Sequence, residues 1–238
     1  VQTCALPIWP RIRSRIEEHN EVIIPKNDFY KLCSEEGIGI QDECDKLARV
    51  FHRLGFLLYY GDDHILKDIV FISPAIVANG IYSVLTSDSL AQKEGELDLG
   101  TLISALNNSL FPVEMHQYLL RLMRRFGLCF PYYNDNMYLI PELLGESEPS
   151  SANAFYPEAC LNYLFHYDFL PHGLIPRLIV HTHTLSSPKD RWRKGVILSY
   201  ANCKALIISD SIKHLVSVRI RHGLPTARRE FLGIIRAY

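Results

Sequence analysis

RVFHRLGFLL (Arg49–Leu58) and RLMRRFGLCF (Arg121–Phe130) are two versions of one pattern, with Arg121 following Arg49 by 72 residues. Each opens on Arg, places a second Arg four positions later, and then runs through an apolar residue and a Gly into an apolar stretch. An internal period of this length marks a repeated supersecondary unit. Each copy also closes on apolar residues followed by proline, VFISP at Val70–Pro74 and YLIP at Tyr138–Pro141.

The physics of one unit follows from its spacing. Leu47, Val50, Phe51 and Leu54 recur at helical intervals and predict a helix over 44–54 with one apolar face. Gly55 stops it, because the residue after a helix often needs the left-handed backbone that glycine enters freely. Phe56–Tyr60 reads as a strand, Gly61-Asp62-Asp63 as a turn, and Ile69–Ile72 as the returning strand. A helix over Asp28–Glu36 precedes these, with Asp28 as its cap. Helix, helix and hairpin in that order is a winged-helix arrangement. The second copy predicts helices over Leu99–Leu106 and Val113–Phe126, a stop at Gly127, and a wing from Leu128–Pro131 and Met137–Ile140. Pro74–Leu85 connects the copies as a helix with proline near its start, where the missing N–H costs nothing.

The remainder of the chain has a different character. Residues 1–154 hold 13 Lys/Arg and 21 Asp/Glu, a net of −8, whereas residues 155–238 hold 12 and 5, a net of +7. The polar stretch 147–154 sits at the change of sign and reads as a linker. Beyond it, Cys160–Tyr167 reads as a strand and Leu174–His183 as a helix. Trp192–Tyr200, Ala205–Ile208 and Leu215–Ile220 follow as β-rich segments, and Thr226 to the end as a helix cut off mid-way. Consecutive strands after one helix predict an antiparallel sheet with helices on one face. The fold class is therefore α+β: a tandem winged-helix-like part over 10–146 (units at about 28–74 and 97–144), then an antiparallel-sheet part over 155–238 that reads as truncated. VQTCALPI at Val1–Ile8 resembles a translated sequencing adapter, so residues 1–9 are read as a non-native scar.

Composition excludes several classes. In 238 residues, 48% hydrophobic and 21% charged content is ordinary for a globular chain. The longest uncharged run, Ile69–Ser87, contains Pro74, Asn79 and Gly80, so no membrane span and no signal peptide is expected. Six cysteines without a CxxC pairing fit a cytoplasmic chain of buried thiols rather than a disulfide scaffold.

The chemistry-bearing constellations fail one by one. There is neither a GxxxxGK[ST] loop nor a GxGxxG turn for phosphates. His181 and His183 share a face only on a strand, and on the expected helix they diverge, so no metal site is assigned. Cys160, His166 and Asp168 would lie on one strand with Cys160 about 20 Å from His166, too far for nucleophile activation. The acidic groups Asp62, Asp63, Asp68 and Glu94, Glu96, Asp98 lack the alternation of a calcium loop. The basic run Lys189, Arg191, Arg193, Lys194, Lys213, Arg219, Arg221, Arg228, Arg229 reads as a protein interface or a solvated face. DNA binding through the helix before each wing remains the alternative function, opposed by the net of −8 in that part.

Four stretches in order, FHRLGFLLYYGDDHILKDIVFISPAIV (Phe51–Val77), YLIPELL (Tyr138–Leu144), YDFLPHGLIPRLIV (Tyr167–Val180) and WRKGVIL (Trp192–Leu198), resemble the COR domain of Roco proteins, the region C-terminal of a Ras-like Roc GTPase. The resemblance is to a prokaryotic type. It implies a non-catalytic regulatory and dimerisation module whose first half packs on Roc and whose second half carries homodimerisation, coupled to the GTP cycle. GTP and magnesium would belong to Roc, leaving no cofactor here. The whole protein would be a GTPase, in some members with leucine-rich repeats before Roc and a kinase domain after COR. By the same resemblance the turn at Tyr167 and Phe169 is a Roc contact. The motif residues Gly55, Gly127, Pro171, Gly173, Arg177, Trp192, Arg193 and Gly195 are structural. Read by themselves, Tyr167 and Phe169 either fill a local core or meet a partner.

Overall fold

The computed structural model describes residues 8–19, 21–106 and 109–238. Val1–Pro7, most of the stretch read as a scar, lie outside the described residues. In chain order the elements are α1 (Ile8–Glu18), β1 (Ile23–Pro25), α2 (Lys26–Glu35), α3 (Gln41–Arg53), β2 (Ile69–Phe71), α4 (Pro74–Leu85), α5 (Asp88–Gln92), β3 (Glu96–Leu97), α6 (Leu99–Ala105) and α7 (Val113–Arg125). There follow β4 (Phe130–Tyr132), β5 (Asn134–Leu139), β6 (Leu161–His166), α8 (Leu174–Thr182), β7 (Arg191–Trp192), β8 (Gly195–Tyr200), β9 (Cys203–Asp210), β10 (Leu215–Arg221) and α9 (Pro225–Arg236). This is the expected α+β order, a helical part with small sheets followed by a five-stranded antiparallel sheet.

Packing divides the chain into two compact units, one reaching to Val84 and adding Leu106–Leu122, the other made of Leu85–Ala105 and Met123–Tyr238. In the first unit Ile12 and Ile16 of α1, Phe29 and Leu32 of α2, Leu47 and Phe51 of α3, and Val70 of β2 form one apolar cluster. Ile8 and Trp9 open α1 and pack against it. Each such side chain, taken fully out of water, contributes about 1.5–3 kcal/mol.

The repeat is legible in the hydrogen bonds at its two glycines. Gly55 (φ +78°) donates to His52 O at 3.1 Å and Phe56 to Phe51 O at 3.0 Å. Gly127 (φ +69°) donates to Arg124 O at 3.0 Å and Leu128 to Met123 O at 2.9 Å. Both are the paired closing bonds of a left-handed helix stop, and both require positive φ. In the first copy the rings of Phe51 and Phe56 meet edge-on at 5.8 Å, the apolar contact that accompanies such a stop.

Two local expectations are corrected. Phe56–Tyr60 is not a full strand: Leu58 alone bridges Phe71, and the main partner of β2 is β1, with Ile24 opposite Val70. The reason is Asp63, whose Oδ1 accepts from the N–H groups of Ile65 (3.0 Å) and Leu66 (3.2 Å) and folds the chain into turns before a ladder extends. Asp28 does not cap α2 either. The helix starts two residues earlier, entered from Pro25 without a side-chain cap, and Asp28 instead pairs with Lys31 at 2.7 Å.

In the second unit the small sheet runs β3-β5-β4 and the large one β6-β10-β9-β8-β7, antiparallel throughout. Alternation on the large sheet puts Val216, Val218 and Ile220 of β10, Ala205 and Ile207 of β9, and Val196 and Leu198 of β8 on one face. That face packs against Ile175, Ile179 and Val180 of α8 and Phe231 and Ile235 of α9. The opposite face carries Ile197 and Leu206 under Phe155, Ala152 and Trp192. Five cysteines are described; all are free, and four of them are buried. Burial pushes the Cys129 thiol up to about 12. No helix among the described residues is long and apolar enough to cross a membrane.

Candidate interaction surface

The residues around Tyr167 and Phe169 form an exposed, hydrogen-bonded corner at the end of β6. Tyr167 N–H donates to His214 O at 2.9 Å, and His214 Nδ1 lies 3.1 Å from Asp168 O. The corner is thus tied to the β9–β10 turn, which Asp210 closes by accepting from Ile212 and Lys213 N–H at 3.0 Å each. Those backbone bonds, Lys213 first, hold the Asp210 carboxyl below its ordinary range. Leu170 turns inward into the core, while Phe169 remains 71% exposed and Tyr167 38%. Among the described residues Phe169 is thus largely uncovered, whereas Tyr167 is only partly so.

The segment after the corner is a helix start. Leu174 N–H reaches Pro171 O at 3.1 Å and Arg177 N–H reaches Gly173 O at 3.0 Å. Pro176 sits in the first turn of α8, where it forfeits no helical bond. Arg177 is exposed, on the side of α8 away from Ile175 and Ile179.

His181 falls in α8 and His183 just beyond it. His183 Nδ1 is 2.7 Å from Val180 O and its ring stacks on Phe130 at 4.5 Å. His181 faces Tyr238, ring to ring at 6.1 Å. The two imidazoles have separate partners.

The WRKG motif is a two-residue hairpin. Trp192 is opposite Gly195, and Arg193 N–H donates to Gly145 O at 2.9 Å. Trp192 is buried, and a Cβ on Gly195 would collide with its ring and lie 2.6 Å from Ile207 O. Arg193 and Lys194 then hold Glu146 at 3.5 and 2.6 Å. Lys194 first draws the exposed Glu146 carboxyl below its ordinary range.

Several arginines of the basic run face inward, and sequence reasoning missed this. Arg191 donates from Nη2 to His183 O (2.7 Å) and Ser186 O (2.6 Å) and from Nε to Ser186 Oγ (2.7 Å). Its guanidinium lies 5.1 Å from the Phe130 ring centre, and burial lowers its pKa. It ties down the turn that follows α8, a task no spacing rule announces because the acceptors are eight and five residues back. Arg219 and Arg221 donate to Phe155 O (3.4 Å) and Ala154 O (2.6 Å), fastening the linker to the sheet. In the first unit, Arg121 binds Asp63 through Nε (2.8 Å) and Nη2 (2.8 Å), so this cation of the presumed reading helix is already matched. Among the described residues no group of three His, Cys, Asp or Glu side chains is placed to hold a metal ion.

Comparison with known proteins gives a consistent result. Residues 7–144 match the model of the COR-A domain, C-terminal of Roc, and residues 158–238 that of the COR-B domain, C-terminal of Roc. A "Roc-COR-CHAT protease" of Runella zeae is 26% identical over 207 residues, covering 83% of this chain and 21% of its own length. The probable serine/threonine-protein kinase pats1 of Dictyostelium discoideum is 23% identical over 217 residues, covering 84% of this chain and 7% of its own. Among solved structures, the Methanosarcina barkeri Roco2 RocCORdC bound to GDP matches 57% of this chain and 43% of that one, with a TM-score of 0.50 and 25% identity. The chain spans about a fifth or less of the length of these two curated relatives.

Proposed function

The chain belongs to the COR family of Roco proteins, whose domains go with a Roc GTPase domain, and from that premise we propose that it is the regulatory and dimerisation module of a Roco-type GTPase. It performs no catalysis itself. It packs on the Roc domain, in part through the corner at Tyr167 and Phe169, and it couples homodimerisation to the GTP cycle. The observation that carries this reading is Phe169, 71% exposed on a corner fixed by backbone hydrogen bonds. An aromatic ring held in water loses its apolar contribution unless a partner covers it, and such pre-set rings are the anchors of interfaces. Arg177, exposed one helical turn from Gly173, borders the same corner.

The test is calorimetric titration of the chain with the Roc domain, loaded with GDP or with a non-hydrolysed GTP analogue. Phe169→Ala is expected to weaken binding by about 2 kcal/mol or more while leaving the chain's own stability within about 0.5 kcal/mol. Unchanged Roc affinity in this variant removes Phe169 from the interface. A loss of several kcal/mol of folding stability would show that the ring is a core residue.

A further inference from the structure

β6 lies at one margin of the large sheet, and no described strand pairs with its outer side. The other margin, β7, is two residues long, a common way to blunt an edge. β6 has no such protection. Its six residues, LNYLFH, include no charge and no proline, and its pairing with β10 runs without a bulge. Tyr163 is 40% exposed and Leu164 54%. An uncharged, regular, partly apolar edge of this length is a template for another strand.

The ladder decides which groups it offers. Tyr167 N–H points to His214 on the β10 side, and facing alternates along an antiparallel strand. Leu161, Tyr163 and Phe165 therefore direct their N–H and C=O toward β10. Asn162, Leu164 and His166 direct theirs outward.

We propose that this edge pairs with the same edge of a second copy of the chain, antiparallel, with Leu164 opposite Leu164 of the second copy on a two-fold axis. This rests on the dimerisation reading above and supplies its contact. A two-fold normal to the sheet keeps each face on its own side, so paired residue numbers must share parity. The register centred on Leu164 meets that condition and matches all the outward groups: Leu164 with its counterpart, and Asn162 with His166 in both directions. Each such pair exchanges two backbone hydrogen bonds. On the helix-bearing face the same register sets Tyr163 opposite Phe165 twice. These rings already touch within one strand, centroids 4.8 Å apart, so the pairing assembles four rings across the axis, a favourable cross-strand set. The charge pattern permits a copy as partner. β6 contributes no like charges to the axis, and the Arg219 and Arg221 side chains on the neighbouring strand are engaged with backbone carbonyls of Phe155 and Ala154.

The test uses the whole chain. Sedimentation across a concentration series gives the dimer constant for the wild type and for Leu164→Lys, which sets two ammonium groups opposite each other at an exposed position. The dimer should weaken roughly tenfold or more, with circular dichroism unchanged. Separately, Leu164→Cys should form a disulfide-linked dimer under mild oxidation with oxidised glutathione, because residues opposite each other in a hydrogen-bonded pair have Cα atoms about 5.5 Å apart. Asn162→Cys should not, because its own counterpart lies four residues along, about 14 Å away. A wild-type dimer that Leu164→Lys leaves intact and Leu164→Cys fails to cross-link overturns the edge pairing while the dimerisation reading stands. A wild type that is monomeric throughout overturns both.

Discussion

Replacing Asp63 by asparagine probes the link between the two copies of the repeat pattern. The carboxylate is almost wholly buried, with its side chain 1% exposed. It accepts from Arg121 Nε and Nη2 and from the N–H groups of Ile65 and Leu66. Burial by itself would push its pKa up; the Arg121 bonds and the two backbone donors outweigh that and hold it at about 2, against an ordinary 3.8. A depression of that size corresponds to about 2 kcal/mol of stability at neutral pH. Removing the charge also strands the Arg121 guanidinium, which is 23% exposed, so the full cost of Asp63→Asn at pH 7 should be about 3 kcal/mol. The folded-state pKa is lowered, so this stability is fully present above the unfolded pKa near 4 and is lost as pH falls through about 2. Urea unfolding of wild type and Asp63→Asn at pH 7, 5, 4, 3 and 2 measures the gap directly. It should hold constant from pH 7 to 5 and narrow below pH 4. Taking the difference between the two proteins cancels the other carboxylates whose pKa values are lowered, Asp45, Asp98, Glu146 and Asp210. A gap below about 1 kcal/mol at pH 7, or one that stays flat to pH 2, would refute the reasoning. Arg49→Ala is the matched control: Arg49 holds the place of Arg121 in the first copy but is exposed, and its loss should stay within about 0.5 kcal/mol.

Three further outcomes are expected. Gly55→Ala and Gly127→Ala should each lower stability by about 1–2 kcal/mol in thermal unfolding, because φ of +78° and +69° disfavours a Cβ; a neutral result at either would argue against the left-handed stop there. Gly195→Val should cost clearly more, about 3 kcal/mol or above, by forcing Trp192 away from its place on the sheet, with the shift visible in tryptophan fluorescence. Arg191→Met should lose about 3 kcal/mol by leaving His183 O and Ser186 O without their donor, and Arg191→Lys should recover little, since a single ammonium does not reproduce the forked geometry.

Local order was readable because its causes are local. The apolar spacing of α3 and α7, the glycines that stop them, the proline that opens α4, and the alternation in β8 to β10 each depend on residues within a few positions, so the element order and the α+β class followed. Pro74–Leu85 was bounded to the residue. The failures fell where a distant partner decides. Phe56–Tyr60 has strand composition, yet β2 finds its partner in β1, and Asp63 spends the following backbone donors on turns. Asp28 has capping chemistry, but Pro25 and the β1–β2 ladder set the entry to α2.

The surface shows the same division. Sequence alone singled out the Tyr167–Phe169 corner and the WRKG hairpin, through order and resemblance, but it left Phe169 undecided between core and partner. Exposure is a property of everything that does or does not pack over a ring, and only the assembled fold supplies it. The arginines make the point most sharply. Arg49 and Arg121 are equivalent by pattern, and one lies in water while the other is locked to Asp63. Arg191, Arg219 and Arg221 read as part of a charged run, and each is aimed at a backbone carbonyl instead. A guanidinium goes where unsatisfied acceptors are, and the positions of those acceptors are set by how the helices and strands meet rather than by their order in the chain.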